Sequence, residues 1–318
     1  MKKSIKFIII ITIIIFIIKL FWSSQLSSPS SDKSARIFVV DKGEDFSKVV
    51  ENLKKMGLIK SSWAFTLYGK QSGLANQVQA GTFRLSSSFS AQQTLKTLTE
   101  KPLDVWVTLL EGWRVEEMAD VLSSKFKSQK SKFIAAAKEG YMFPDTYLFP
   151  IDVAEDQIAI RLKSTFDEKY SDDLKSKIKS LGLTEQQGVI LASIVEREAR
   201  SDKVRTEVAS ILLKRLKIGM GLNADATIQY ALGYQEKEKS WWKRNLTQDD
   251  LKIPSPYNTY LYRGLPPGPI CNPSLSSLKA VANADSNTPY LYYYHDPKGN
   301  SYYAKTLEEH NQNVASNP

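Results

Sequence analysis

The chain has 318 residues, 42% apolar and 24% charged, with 43 Lys and Arg against 34 Asp and Glu. It is too apolar for a disordered chain and long enough for about one to three domains. One cysteine, Cys271, excludes an internal disulfide framework. With only His295 and His310 beside it there is almost no material for a His/Cys zinc or iron site, so no metal or cofactor is expected, though carboxylates alone could still hold a cation.

The first 22 residues carry Lys2, Lys3, Lys6 and Lys19 and no acid. Removing them leaves no concentrated basic stripe, and nucleic acid is not expected as a partner. Residues 7–18 are apolar apart from Thr12, and nine of them are Ile. As a helix, residues 7–22 rise about 24 Å, short of a hydrocarbon core of about 30 Å. One reading is the h-region of a cleaved signal peptide. The other is a short anchor in which Lys19 snorkels and Trp22 sits at the interface. The sequence Trp22-Ser-Ser-Gln-Leu is a poor cleavage site, which favours the anchor. Residues 1–22 are therefore expected to form a cytoplasmic tip and a single transmembrane helix at the cell membrane, with the rest of the chain outside the cytoplasm. Residues 23–35 are Ser-rich without apolar periodicity and read as a flexible linker.

Residues 36–104 read as a small α+β module, with strands over 36–40 and 80–85 and helices over 46–56, 63–68 and 90–98. Residues 105–318 read as a larger α+β domain. It opens with a strand over 105–110, helices over 115–126 and 132–138, and an aromatic loop over 139–150. A strongly charged helix is expected over 157–181. The helix over 184–200 carries a capping-box signature in Thr184 and Gln187, and another follows over 204–216. From Pro254 the chain is rich in Pro, Gly, Asn and Tyr, which argues long ordered loops. A hairpin of 290–294 and 301–304 turns through Asp296-Pro-Lys-Gly-Asn, and a helix over 307–314 closes the chain.

On a helical wheel of 184–200, Ile190, Leu191, Ala192, Ile194, Val195 and Ala199 cover one broad arc. Glu198 projects near its middle and Glu196 at its edge, beside Val189 and Ala192. Desolvation raises a carboxyl pKa and lets it hold a proton near neutral pH. Structural ion pairs of both glutamates with Arg197, Arg200 or Arg205 are as natural a reading, and the wheel does not choose between the two beyond a slight preference for burying Glu198. Asp225 and the set Tyr257-Asn258-Thr259-Tyr260 precede a stiff Gly264-Leu-Pro-Pro-Gly-Pro-Ile loop. Aromatic faces and amides suit carbohydrate, while composition alone favours a structural surface loop. No Gly-x-Ser-x-Gly, phosphate-cradling loop or dinucleotide fingerprint occurs.

Several of these segments run in the order found in one family. They are Glu111-Gly-Trp, Glu139-Gly-Tyr-Met-Phe-Pro-Asp-Thr-Tyr, Leu191-Ala-Ser-Ile-Val-Glu-Arg-Glu, and residues 213–216 with Gly219-Met220. Ser255-Pro-Tyr-Asn-Thr-Tyr, the Gly264 loop, Tyr290-Leu-Tyr and Thr306-Leu-Glu-Glu-His-Asn follow. Over most of 37–314 the chain resembles the endolytic murein transglycosylases, the YceG-like proteins. The resemblance implies a LysM-like module over 36–104 and a catalytic domain over 105–318. It also implies cleavage of the β-1,4 bond between N-acetylmuramic acid and N-acetylglucosamine in nascent peptidoglycan strands. Glu196, first of the Val-Glu-Arg-Glu pair, would act as acid and then base to leave a 1,6-anhydro end, with no cofactor. Asp225, Thr227, Tyr257, Asn258 and Asn272 are candidates for binding the sugar, and Glu198 for tuning Glu196. Penicillin-binding proteins and the elongation or division machinery are implied partners.

The family's Gln-x-Asp-Pro-Thr run is Asn223-Ala-Asp-Ala-Thr here. A histidine common in the final hairpin is absent near Asn300, so no catalytic role is expected of that hairpin. Hydrolysis of the same bond by an activated water, or non-catalytic wall binding, are the alternatives.

Overall fold

The computed structural model describes residues 2–126, 129–199 and 201–318, leaving aside the side chains of residues 2–6 and 8. Arg200, one of the three arginines offered above as an ion-pair partner, lies outside the described residues. The chain divides into two compact units, Met1–Val105 with Leu148–Ile151, and Trp106–Tyr147 with Asp152–Pro318. The expected α+β class holds, with three two-stranded sheets among many helices.

The first unit begins with α1 (Lys2–Gln25), followed by β1 (Ala35–Val40), α2 (Phe46–Lys55), α3 (Ser62–Gln71), β2 (Gly81–Ser86) and α4 (Ala91–Thr99). β1 and β2 are antiparallel, with Ala35 opposite Ser86 and Val40 opposite Gly81. Alternation along the strands turns Phe38, Val40, Phe83 and Leu85 inward onto Val49, Val50 and Leu53 of α2, Phe65 of α3 and Leu95 and Leu98 of α4. Asp45, Ser61 and Ser90 cap the helices through their side chains. Gly81 is required by its φ of +136°, and a Cβ there would strike Pro102 and the Asp104 carboxylate. That carboxylate accepts the Thr82 N–H at 3.1 Å.

Two expectations change here. Among the described residues no helix is long and apolar enough to cross a membrane, which corrects the transmembrane helix read over residues 1–22. The apolar run lies in α1, where Phe7, Ile9–Ile11, Ile13–Ile18, Leu20 and Phe21 are exposed, and its rise of about 24 Å falls short of a bilayer core. The stretch over 23–35 is not a free linker. The helix runs on to Gln25, Leu26 is buried in the module core, and the Leu26 carbonyl accepts the Ala91 N–H at 2.9 Å. The Ser30 N–H donates to the Ser87 carbonyl at 3.1 Å, and the Ser86 and Ser87 hydroxyls donate to the Asp32 carbonyl. Trp22 meets Trp63 edge to face, 5.5 Å between ring centroids. Within the stretch the Ser27 hydroxyl donates to the Ser24 carbonyl at 2.7 Å.

The second unit holds most of β3 (Val105–Thr108), then α5 (Val115–Lys125), α6 (Lys130–Ala136), part of β4 (Thr146–Phe149), α7 (Glu155–Lys169) and α8 (Asp172–Ser180). Next come α9 (Glu185–Glu198), α10 (Asp202–Lys217), α11 (Asp225–Leu232), α12 (Leu275–Ala282), β5 (Tyr292–His295), β6 (Ser301–Ala304) and α13 (Leu307–Ser316). The single helix expected over 157–181 is two, because Ser171 leaves the helix and caps α8, accepting from the Leu174 N–H. β4, α11 and α12 form within stretches that carry no such expectation in the sequence. The Thr184–Gln187 capping box forms as expected and starts α9. From Gly188 to Val195 every residue of α9 is buried, because α8, α10, α11 and α12 pack around it. A helix enclosed in this way delivers its last turn to a fixed place in the core.

Candidate active site

Glu196 and Glu198 stand on the last turn of α9, two residues or about 200° apart on the helix, so they face different surroundings. The Glu196 side chain is 4% exposed and Oε1 accepts from Arg205 Nη2 at 2.9 Å. Its Oε2 accepts from the Ser274 N–H at 2.8 Å and the Ser274 hydroxyl at 2.5 Å. Ser274 is the N-cap of α12. Arg205 also reaches Asp202 and the Ser276 hydroxyl, each at 3.3 Å. The carboxylate thus ties α9 to α10 and α12, and Glu196 lines neither of the two clefts described next. The oxygens of the carboxyl expected to be the acid are thus taken up by a guanidinium and a helix cap. Of the other arginines offered as partners, Arg197 lies over the Trp242 ring at 3.8 Å.

Glu198 has the surroundings an acid needs. It lines a cleft of about 460 Å³ with Asn223, Asp225, Tyr260, Tyr292, Tyr293, His310 and others, and also lines a second of about 790 Å³. Burial pushes its carboxyl up to about 7, and the Asp225 carboxylate adds to the rise. Hydrogen bonds from Tyr293 and the Ala226 N–H, and the charge of Arg197, act the other way. The Tyr293 hydroxyl donates to Glu198 Oε2 at 3.1 Å. Asp225, at the start of α11, accepts the Tyr260 hydroxyl at 2.6 Å. Arg215 fixes the cleft wall by donating to the Leu291 and Leu222 carbonyls, each at 2.7 Å. Asn223, where the resembling family has Gln, sits at φ +49°, a left-handed position that Asn tolerates better than most residues.

Of the sugar-binding candidates, only Asp225 lines a cleft that holds Glu198. Asn258 spends both amide hydrogens on the Leu251 and Ile253 carbonyls, and its oxygen accepts the Tyr260 and Leu261 N–H groups. Asn272 donates to the Trp113 carbonyl and to Glu139, and accepts the Met142 N–H. Both amides are buried and spend their N–H groups inside the protein. Thr227 donates to the Ala224 carbonyl at 2.7 Å and shares a hydrogen bond with Thr259. The Tyr257 ring packs on Tyr230, 4.7 Å between centroids. These four side chains contact neighbouring segments of the fold. The hairpin, from which no catalytic role is expected in the sequence, lines the first cleft with Tyr292, Tyr293, Tyr294 and His295, a placement that the run of tyrosines at 292–294 could have signalled. Among the described residues no cluster of three or more His, Cys, Asp and Glu could hold a metal ion.

A third carboxyl is unusual. Glu139 accepts the Val115 N–H at 3.3 Å and Asn272 Nδ2 at 2.9 Å, and burial pushes it up to about 8. Gly140 beside it has φ +85°, and a Cβ there would run into Pro269. The carboxyl binds its proton more tightly folded than unfolded. Its contribution to stability is therefore complete below the ordinary value of 4.5 and is lost as pH rises through about 8. Glu139→Gln is expected to flatten the fall in melting temperature over that window. A slope equal to that of the wild type would show that the side chain ionises freely.

The YceG-like family profile matches residues 38–316. An endolytic murein transglycosylase of Bacillus subtilis is 31% identical over 92% of this chain and 88% of that protein. One from Streptococcus pneumoniae is 29% identical over 87% of this chain and 57% of its own length. The crystal structure of a YceG-like protein from Listeria monocytogenes is 28% identical, with a TM-score of 0.58 over 88% of this chain and 99% of that one.

Proposed function

The chain belongs to the YceG-like family, and we propose that it is a lytic transglycosylase of peptidoglycan with Glu198, not Glu196, as its acid and base. The observation that carries this is a carboxyl on the wall of an aromatic cleft, kept protonated to about pH 7 by burial. Protonated Glu198 gives its hydrogen to the glycosidic oxygen between N-acetylmuramic acid and N-acetylglucosamine, and that bond breaks with an oxocarbenium-like state at the muramyl C1. The carboxylate so formed takes the proton from the muramyl C6 hydroxyl, whose oxygen closes on C1. One group serves twice, at a pKa matched to both steps. Asp225 keeps that pKa high and holds Tyr260 at the cleft wall. The tyrosines that line the cleft give sugar rings a surface to stack on. We read the β1-α2-α3-β2 module as LysM-like and the uncovered apolar helix α1 as the element that attaches the chain to lipid.

Asp225 also favours a second reading. A second carboxylate in the same cleft is what activation of a water requires, and the product would then be hydrolytic. Mass spectrometry of digested strands separates the two. Anhydromuramyl ends are expected, while reducing ends one water heavier would assign hydrolysis. Strands left intact by the full chain would defeat both.

A further inference from the structure

The two clefts that meet at Glu198 are lined differently. The first is walled by tyrosines. The second runs from Glu198 to two guanidinium groups, Arg197 at the end of α9 and Arg244 in the loop after α11. Among the described residues neither is ion-paired with a carboxylate. Arg197 is placed by the face of Trp242 at 3.8 Å, and Arg244 by its backbone N–H, which donates to Glu238 at 2.9 Å. Both arginines are exposed. The one other acid in this wall, Asp296, is committed to the hairpin turn. It accepts the Asn300 N–H and side-chain amide, each at 2.8 Å, and the Tyr302 hydroxyl at 3.4 Å. Two cations outside any ion pair among the described residues therefore stand beside the Glu198 carboxyl.

We propose that this second cleft binds a carboxylate of the peptide stem on the muramyl residue, so that the enzyme reads the stem as well as the glycan. The proposal rests on the peptidoglycan reading above. A guanidinium is a planar fork that matches a carboxylate through two parallel hydrogen bonds. The stem leaves the muramyl ring two carbons from the bond being cleaved. A strand with that bond at Glu198 and its sugars on the tyrosines of the first cleft has its stem beside the second. A strand whose stem carboxyls are amidated offers no carboxylate to Arg197 or Arg244.

Binding is measured on the full chain carrying Glu198→Gln, so that strands stay intact. The probes are soluble uncross-linked glycan strands with pentapeptide stems, and the same strands with the stem carboxyls amidated. Strands with free stem carboxyls are expected to bind at least about tenfold more tightly, the scale of one charge-assisted hydrogen bond. The advantage should vanish when Arg197→Gln and Arg244→Gln are added together. Free stem peptide should compete for the site, and peptide with its carboxyls amidated should not. Equal affinity for the two strands, or a preference that survives both arginine substitutions, overturns the proposal. Selective binding by a chain whose wild-type form cleaves neither strand would instead overturn the transglycosylase reading and leave the stem site standing.

Discussion

Glu198→Gln is expected to slow strand cleavage by about 10²–10⁴-fold, the range attributable to a positioned acid and base. The substitution keeps the shape of the side chain and an oxygen for the Tyr293 hydroxyl, while removing the only proton that the proposed reaction moves through the protein. Stability should not fall with it. An ionised carboxyl is costly at this site, as the rise of its pKa to about 7 states, and the amide never ionises. The same group fixes the pH profile. The acid is competent while protonated, so cleavage is expected to decline as pH rises through about 7. Asp225→Asn removes the negative charge that helps hold the proton, so the alkaline limb should move to lower pH. A limb that stays in place in the Asp225→Asn variant would mean that the proton lies elsewhere. An unimpaired Glu198→Gln enzyme would end the assignment.

The neighbouring carboxylate predicts a contrasting loss. Glu196→Ala is expected to cost about 3–5 kcal/mol of unfolding free energy, the usual penalty for leaving one member of a buried ion pair uncompensated. The Arg205 side chain is only 11% exposed, and the Ser274 N–H at the head of α12 would lose its acceptor. Glu196→Gln should cost less, because an amide oxygen can still accept from Ser274 while facing Arg205 without charge. Urea unfolding measures the loss, and turnover per folded molecule should stay near wild type for the Gln variant at low temperature. Turnover abolished at undiminished stability would return the catalytic role to Glu196.

The two glutamates mark the limit of what a sequence can carry. α9 is legible end to end because its capping box and apolar arc are local. The wheel narrows the acid to two residues, and its slight preference for Glu198 agrees with the geometry better than the position taken from the resemblance. The partners that decide the matter are distant. Arg205 stands nine residues on and Ser274 stands 78, and only the packing of α10 and α12 brings them to Glu196. The polar loop residues mislead for a related reason. An Asn in a Pro- and Gly-rich loop can face a ligand or satisfy the loop's own backbone, and Asn258 and Asn272 do the second. The hairpin is plain in the sequence as strands, yet which side of a two-stranded ribbon meets a helix end is a tertiary fact.

The burial of Leu26 and the Trp22–Trp63 contact fix α1 on the N-terminal module. Thirteen loose residues would let a tethered domain wander over roughly 20 Å. Here the chain leaves α1 already locked into the fold that follows, so a tilt of the greasy rod becomes a tilt of the whole βααβ body. The direction of that rod is then set by packing geometry rather than by the entropy of a leash.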